Sequence, residues 1–176
     1  MSEANPKYRV SNSALHWILR DETTRLSTLR AINQSLKPGG KFVFETGGHG
    51  HFNEALTAIL HTLTSYGIPT ERLHELNPYF FPSERWMKQA LEQVGFEVNV
   101  LELEYRPTEM TAAKGGGLPG WVKLFGAPLL NALPEEKQDE AVQHICAVLD
   151  PVITLCEDDS KWLGYVRLRG IATKKA

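Results

Sequence analysis

Cysteine is nearly absent from this 176-residue chain. Cys146 and Cys156 are too few and too irregularly spaced for a disulfide framework or a zinc ribbon, so they read as intracellular thiols. Cys146 falls on the apolar face of a predicted helix and reads as core filler. Long apolar runs are missing as well: none approaches the roughly 18 to 20 residues that span a bilayer. The polar start MSEANPK lacks the apolar centre of a signal peptide. Together these absences set the expectation of a cytoplasmic protein with no membrane partner. Excess charge is lacking too, with 19 Lys and Arg against 21 Asp and Glu scattered along the chain. No basic stripe is present to neutralise a phosphate backbone, which argues against nucleic acid as a partner. Internal repeats and low-complexity tracts do not occur. The one glycine cluster that resembles a phosphate cradle, GGHGH from Gly47 to His51, has no third glycine in register and no acidic strand end at the required distance. His49 and His51 lack a third ligand of suitable spacing, so no metal is expected and the segment reads as a structural turn.

What remains is ordinary globular composition, 42% apolar and 23% charged, enough for one core and read as a single domain over 1–176. Leu26, Leu29, Ile32 and Leu36 recur at three- and four-residue steps and predict a helix over 23–37, stopped by Pro38, Gly39 and Gly40. Phe42 to Phe44 form a short apolar run, within a strand over 41–46 of the kind covered on both faces. Phe52, Leu56, Ile59, Leu60 and Leu63 mark a second helix closing near Gly67. The loop NPYFFP, from Asn77 to Pro82, precedes Ser83, an N-cap for a third helix carrying Trp86, Met87, Leu91 and Val94 and ending at Gly95. In 96–105 the apolar set moves from Phe96, Val98 and Val100 to Leu101, Leu103 and Tyr105, a one-residue change of phase that predicts a bulge. A hinge by composition, TAAKGGGLPG, leads to helical pieces over 121–133, interrupted at Pro128, and 135–149, with Pro134 suited to a first turn. A strand over 163–172 closes the chain, with Val166 and Leu168 on one face and Tyr165, Arg167 and Arg169 on the other.

Two stretches, SNSALHWIL from Ser11 and SLKPGGKFVFETGG from Ser35, resemble the fourth-strand loop and fifth strand of class I S-adenosylmethionine-dependent methyltransferases. The resemblance is closest to the small-molecule branch that includes trans-aconitate methyltransferases. It runs from about Tyr8 to Thr173, takes in the closing YVRLR from Tyr165, and covers only the C-terminal half of the family. It implies an α/β fold: a partial Rossmann-like sheet of the family's last four strands, the final one antiparallel, with flanking helices. A small helical cap at 115–156 would be inserted before the last strand. The strand it places at Tyr8 to Val10 is a poor buried parallel strand, given Arg9 and the polar NPK before it.

The resemblance places Ser11, Asn12, Leu15 and His16 against the cofactor, S-adenosylmethionine, and His16 and Trp17 where the loop faces cofactor and substrate. His16 is a candidate catalytic residue, as a general base or as a hydrogen-bond donor to a substrate carboxylate; alternatively it caps the loop and packs on Trp17. Among Arg106, Arg167 and Arg169, Arg167 is the best candidate for gripping a carboxylate, because it lies inside a strand on the face given to Tyr165. The alternative is an ordinary arginine paired with a glutamate of ELEY. Tyr79, Phe80, Phe81 and Trp121 are candidates to wall an apolar substrate pocket under the cap, or else core anchors.

The glycine-rich turn and acidic strand end with which the family holds its cofactor have no counterpart in the chain, so the cofactor is not expected to bind to it alone. The residues around Tyr8 would then form an open sheet edge that a homodimer or a partner chain could cover. Two functions from different classes follow. One is an S-adenosylmethionine-dependent methyltransferase, or its substrate-binding half, acting on a small carboxylate or natural-product scaffold. The other is a non-catalytic relative serving as a ligand-binding or dimerisation module.

Overall fold

The computed structural model describes residues 5–110 and 116–176. In chain order the elements are β1 (Tyr8–Asn12), α1 (Leu15–Ile18), α2 (Arg25–Gln34), β2 (Lys41–Gly47), α3 (Asn53–Ser65), α4 (Thr70–Leu76), α5 (Glu84–Gln93), β3 (Phe96–Tyr105), β4 (Thr108–Glu109), α6 (Gly117–Leu130), α7 (Glu135–Ile153), β5 (Trp162–Leu163) and β6 (Val166–Lys174). The chain divides into two compact units, Met1–His51 with Tyr79–Arg106 and Val166–Ala176, and Phe52–Pro78 with Pro107–Tyr165.

The first unit is built on a four-stranded sheet in the order β1-β2-β6-β3. β1 runs parallel to β2, and β6 enters antiparallel between β2 and β3. One face buries the alternate residues Phe42, Phe44, Phe96, Leu168 and Ala172 against Leu15, Leu29, Leu36, Met87 and Leu91. The stripe predicted for the first long helix supplies part of that layer: Leu29 and Leu36 are fully buried, and Leu26 and Ile32 pack at its margin. Ser83 caps α5 as expected, its hydroxyl accepting the Trp86 N–H at 3.2 Å.

Gly170 is where the sheet and its aromatic layer come closest. A Cβ there would lie 2.4 Å from Phe44 Cζ, so the ring fits over the strand only because the position is glycine. The phase change in β3 is a bulge, with the register to β6 slipping between Val98 and Val100. It turns Val100 to the second face and returns Leu101 to the core, and Thr173 Oγ1 donates to Asn99 Oδ1 at 2.6 Å across the irregularity.

The sheet is covered on one face, which corrects the expectation of a strand enclosed on both. α1, α2 and α5 all pack on the face of Phe42 and Phe44, leaving Val43 only half-buried. Val10, Val43, Val100 and Ile171 floor an open groove of about 680 Å³ on the second face, with Glu45, Glu102, Arg106 and Arg169 among its polar walls. β1 is an edge strand, and its Tyr8 and Val10 are 62% and 74% exposed.

In the second unit α3 packs on α6 and α7, which is why the unit is larger than the segment 115–156 expected from the sequence. α6 runs through Pro128 rather than breaking there. The helical hydrogen bond this removes is that of the Leu124 carbonyl, and Leu124 lies at the surface, 70% exposed. Residues 111–115 of the expected hinge lie outside the described residues. The closing strand is shifted from the expected 163–172: Leu163 belongs with Trp162 to β5, which pairs with Thr108 and Glu109, and β6 runs from Val166 to Lys174. Tyr165 thus leaves the strand and does not share a sheet face with Arg167. Phe52, Trp121, Phe125 and Tyr165 form an aromatic cluster in this unit, with Trp121 Nε1 donating to Tyr165 Oη at 2.9 Å. No helix among the described residues is long and apolar enough to cross a membrane.

Candidate functional site

The chemistry-bearing side chains of the first unit gather where β1 and β2 end and β6 begins. Ligands of open α/β sheets favour the ends of parallel strands for a simple reason: loops there can present side chains that a rigid sheet holds in place. After β1 the chain turns at Ser13, in the left-handed region with φ of 52°, and the Ser13 N–H donates to the Glu45 carbonyl at 2.8 Å. That turn starts α1, whose Leu15 faces the core and whose next residue, His16, lies over the end of β2.

The His16 N–H donates to Thr46 Oγ1 at 3.0 Å, and Thr46 Oγ1 lies 3.1 Å from the ring Nδ1. The Gly47 N–H donates to the same Nδ1 at 3.3 Å. Nδ1 is therefore an acceptor, which places the ring hydrogen on Nε2.

A second histidine stands beside it. His51 is buried in the loop after β2, and its Nδ1 accepts the Val166 N–H at 3.0 Å, which again places the hydrogen on Nε2. The two rings are 6.3 Å apart. Burial first, and the Arg167 guanidinium second, hold both imidazoles down from the usual 6.5 to about 4. Both are neutral at pH 7.

Aromatic rings adjoin the pair. Phe81 meets His51 edge-on at 4.9 Å and lies 6.1 Å from His16; Tyr79 stacks on Phe81 at 5.5 Å and reaches Trp17 at 5.7 Å. Burial pushes the Tyr79 hydroxyl up to about 12, so it stays protonated. Gly47 makes this packing possible: a Cβ there would stand 2.9 Å from two Phe81 ring carbons and 3.0 Å from His51 Cδ2.

Arg167 Nη1 lies 3.5 Å from Ser13 Oγ, and its Nε lies 3.8 Å from Glu45 Oε1. Glu45 is also bonded by Arg169 Nε at 2.7 Å and approached by Arg106 at 4.0 Å. Arg169 in turn pairs with Glu104 of the ELEY segment, the ordinary ion pair anticipated for an arginine of this strand.

The expected site residues therefore divide. His16, Trp17, Phe81 and Arg167 come together, and Ser11 and Asn12 lie at the adjoining end of β1. Two others pack in or against the core. Leu15 is 1% exposed within the buried layer, where no ligand reaches it. Phe80 turns away from Phe81 to meet Trp86 edge-on at 4.7 Å, with Arg25 over its ring at 3.6 Å. Neighbouring loop residues point in opposite directions, so Phe80 and Phe81 could not both face one pocket. Trp121 and Tyr165 belong to the aromatic cluster of the second unit.

The sequence presents His51 as part of a structural turn. Its direction depends on positive φ at Gly50 and Phe52, 94° and 39°, which residue spacing does not reveal. No group of three His, Cys, Asp or Glu among the described residues could hold a metal ion; His49 itself is exposed.

For an adenosyl cofactor the end of β1 offers little. Ser11 Oγ is buried without a partner among the described residues, whereas Asn12 Oδ1 already accepts from Ser13. Leu15 is inaccessible, and the nearest carboxylate, Glu45, is held by arginines. Ser11, Asn12, Leu15 and His16 do not by themselves fit S-adenosylmethionine as a complete site, since among the described residues at this strand end the carboxylate that could meet ribose hydroxyls, Glu45, is engaged by arginines.

No family model matches the chain. It is 33% identical over 168 residues to an uncharacterized methyltransferase of Schizosaccharomyces pombe, a match covering 94% of this chain and 61% of that protein. Among solved structures, loganic acid methyltransferase with S-adenosylhomocysteine superposes with a TM-score of 0.57 at 14% identity, covering 98% of this chain and 62% of that one. A candidate methyltransferase of Bacillus halodurans superposes at 0.53 and 13% identity, over 100% of this chain and 74% of its own. The chain thus has the α/β fold of Rossmann-like methyltransferases, and it spans about three-fifths of the length of the curated relative it matches.

Proposed function

We propose that this chain carries the acceptor side of an S-adenosylmethionine-dependent methyltransferase acting on a small carboxylate or a carboxylated natural-product scaffold, and that it does not hold the methyl donor alone. The observation that carries this reading is the gathering of His16, Arg167, Trp17 and Phe81 at one end of the sheet. A guanidinium grips carboxylate oxygens, a neutral imidazole donates through Nε2–H, and the rings supply apolar contact for the rest of a small molecule. A carboxylate is already ionised at neutral pH and needs no base. This suits an imidazole whose Nδ1 is committed to Thr46 and Gly47, so His16 serves as a donor to the acceptor molecule rather than as a general base.

The test is a nuclear magnetic resonance titration of the chain with propane-1,2,3-tricarboxylate and with its uncharged triamide. The acid should shift the His16 ring and Arg167 side-chain signals, the triamide should not, and Arg167→Ala should abolish the response. Equal responses to both compounds, or none at millimolar acid, would overturn the reading.

A specific observation also favours assembly through the sheet edge. Tyr8 and Val10 are exposed on an edge strand whose adjoining face is floored by valine and isoleucine, an arrangement that invites pairing with a second chain. In this second reading the chain acts as a binding or dimerisation module without catalysis. Light scattering should then show a dimer that Val10→Lys converts to a monomer; a monomeric parent chain would refute it.

A further inference from the structure

The turn after β2 holds β6 at two points, both on Val166. The Gly48 N–H donates to the Val166 carbonyl at 3.1 Å, and the Val166 N–H donates to His51 Nδ1 at 3.0 Å. One point is backbone, which many sequences could supply. The other is a side chain with an acceptor lone pair at one position. Arg167 is the next residue in the chain, where β6 pairs with Gly47 on one side and Glu104 on the other, so its guanidinium leaves the strand directly beside the residue that His51 holds.

His51 also limits the space on the other side. Its ring meets Phe81 edge-on at 4.9 Å and lies 6.3 Å from the His16 ring, while the His51 backbone N–H closes the turn onto the Gly48 carbonyl at 3.0 Å. Ser13 and Phe52, two of the three non-glycine residues with positive φ among the described residues, stand in the turn that leads into His16 and directly after His51. Backbone strain of this kind persists only where the surroundings over-determine it.

We propose that His51 is a positioning residue of the acceptor site, which through its Nδ1 fixes Val166 and so aims Arg167 at the ligand beside His16. The proposal rests on the acceptor-site reading above. The chemistry requires an acceptor at the Nδ1 position. Asparagine places its Oδ1 close to the position of Nδ1, glutamine places its carbonyl oxygen nearer that of Nε2, and leucine offers no acceptor. A buried N–H left without a partner opens more readily.

The experiment compares the full chain with His51→Leu, His51→Asn and His51→Gln. It measures hydrogen exchange at the Val166 amide, the Arg167 Nε–H resonance, and the affinity for propane-1,2,3-tricarboxylate. His51→Leu should speed Val166 exchange by about tenfold, broaden or move the Arg167 signal, and weaken the tricarboxylate by about tenfold. His51→Asn should restore all three to within about threefold of the parent. A folded His51→Leu chain with an unmoved Arg167 signal overturns the proposal. Should His51→Leu not fold, His51→Gln decides: an Arg167 signal shifted away from that of His51→Asn supports the proposal, and one identical to it overturns it. If the parent chain binds no tricarboxylate, the acceptor-site reading fails, while the Val166 and Arg167 readouts still decide the role of His51.

Discussion

Acidification from pH 7 to pH 4 will cost the folded chain about 4 kcal/mol through two histidines alone, about 2 from each, after allowing for partial solvent screening. In the unfolded chain His16 and His51 take a proton near pH 6.5, whereas in the folded chain burial and Arg167 delay this to about 4. Both groups are neutral in both states above 6.5, so their contribution is fully present there. Between 6.5 and 4 the unfolded state binds protons that the folded state refuses, and stability falls; below 4 the loss levels off. Urea denaturation at pH 7, 6 and 5 reads the effect before most carboxylates titrate. His51→Asn should remove about half of the slope, and a stability that stays flat over this window would contradict the burial of both rings.

Phe42→Ala should cost about 3–5 kcal/mol, the range for removing a large side chain from a core that closes only partly around the gap. Phe42 is 1% exposed, stacks on Phe44 at 5.1 Å and adjoins Phe96 at 6.0 Å, and it sits on β2 between β1 and β6. Loss of its ring loosens the strand on which the candidate site depends. Val43→Ala, one residue along and facing the open groove, should cost about 1 kcal/mol or less. Chemical denaturation of both variants tests the one-sided layering of the sheet. Comparable losses would mean that the second face is packed like the first.

Much of this architecture is legible in the residues. The spacing of Leu26, Leu29, Ile32 and Leu36 identifies a helix with one buried stripe, and the change of phase in FEVNVLELEY locates a bulge to within a residue or two. Ser83 announces its own helix. The antiparallel entry of the last strand followed from the family resemblance, since no local pattern distinguishes it. KFVF shows where legibility ends, because a short apolar run reads the same whether one face of its strand is covered or two. Pro128 shows the same limit for helices: proline predicts a break, but a helix with a surface residue one turn earlier runs through it.

The site was readable only in part for a related reason. His16, Trp17 and Arg167 lie next to strand ends and could be placed by topology. Phe80 and Phe81 are adjacent and chemically alike, and only packing against Trp86 and Arg25 assigns one to the core and the other to the site. His51 lies in a glycine-rich turn whose direction is set by two positive φ angles. The pairing of Glu45 with Arg167 and Arg169 comes from the register of β2 against β6, which no local pattern carries.

Isothermal titration calorimetry of the purified chain with S-adenosylhomocysteine bears most directly on the proposal that the chain receives the acceptor yet does not hold the donor alone. No saturable heat should appear up to about 1 mM, a Kd weaker than which corresponds to less than about 4 kcal/mol of binding. Saturable binding at micromolar concentration would contradict the account, because it would require a donor site that Ser11, Asn12 and Glu45 do not assemble.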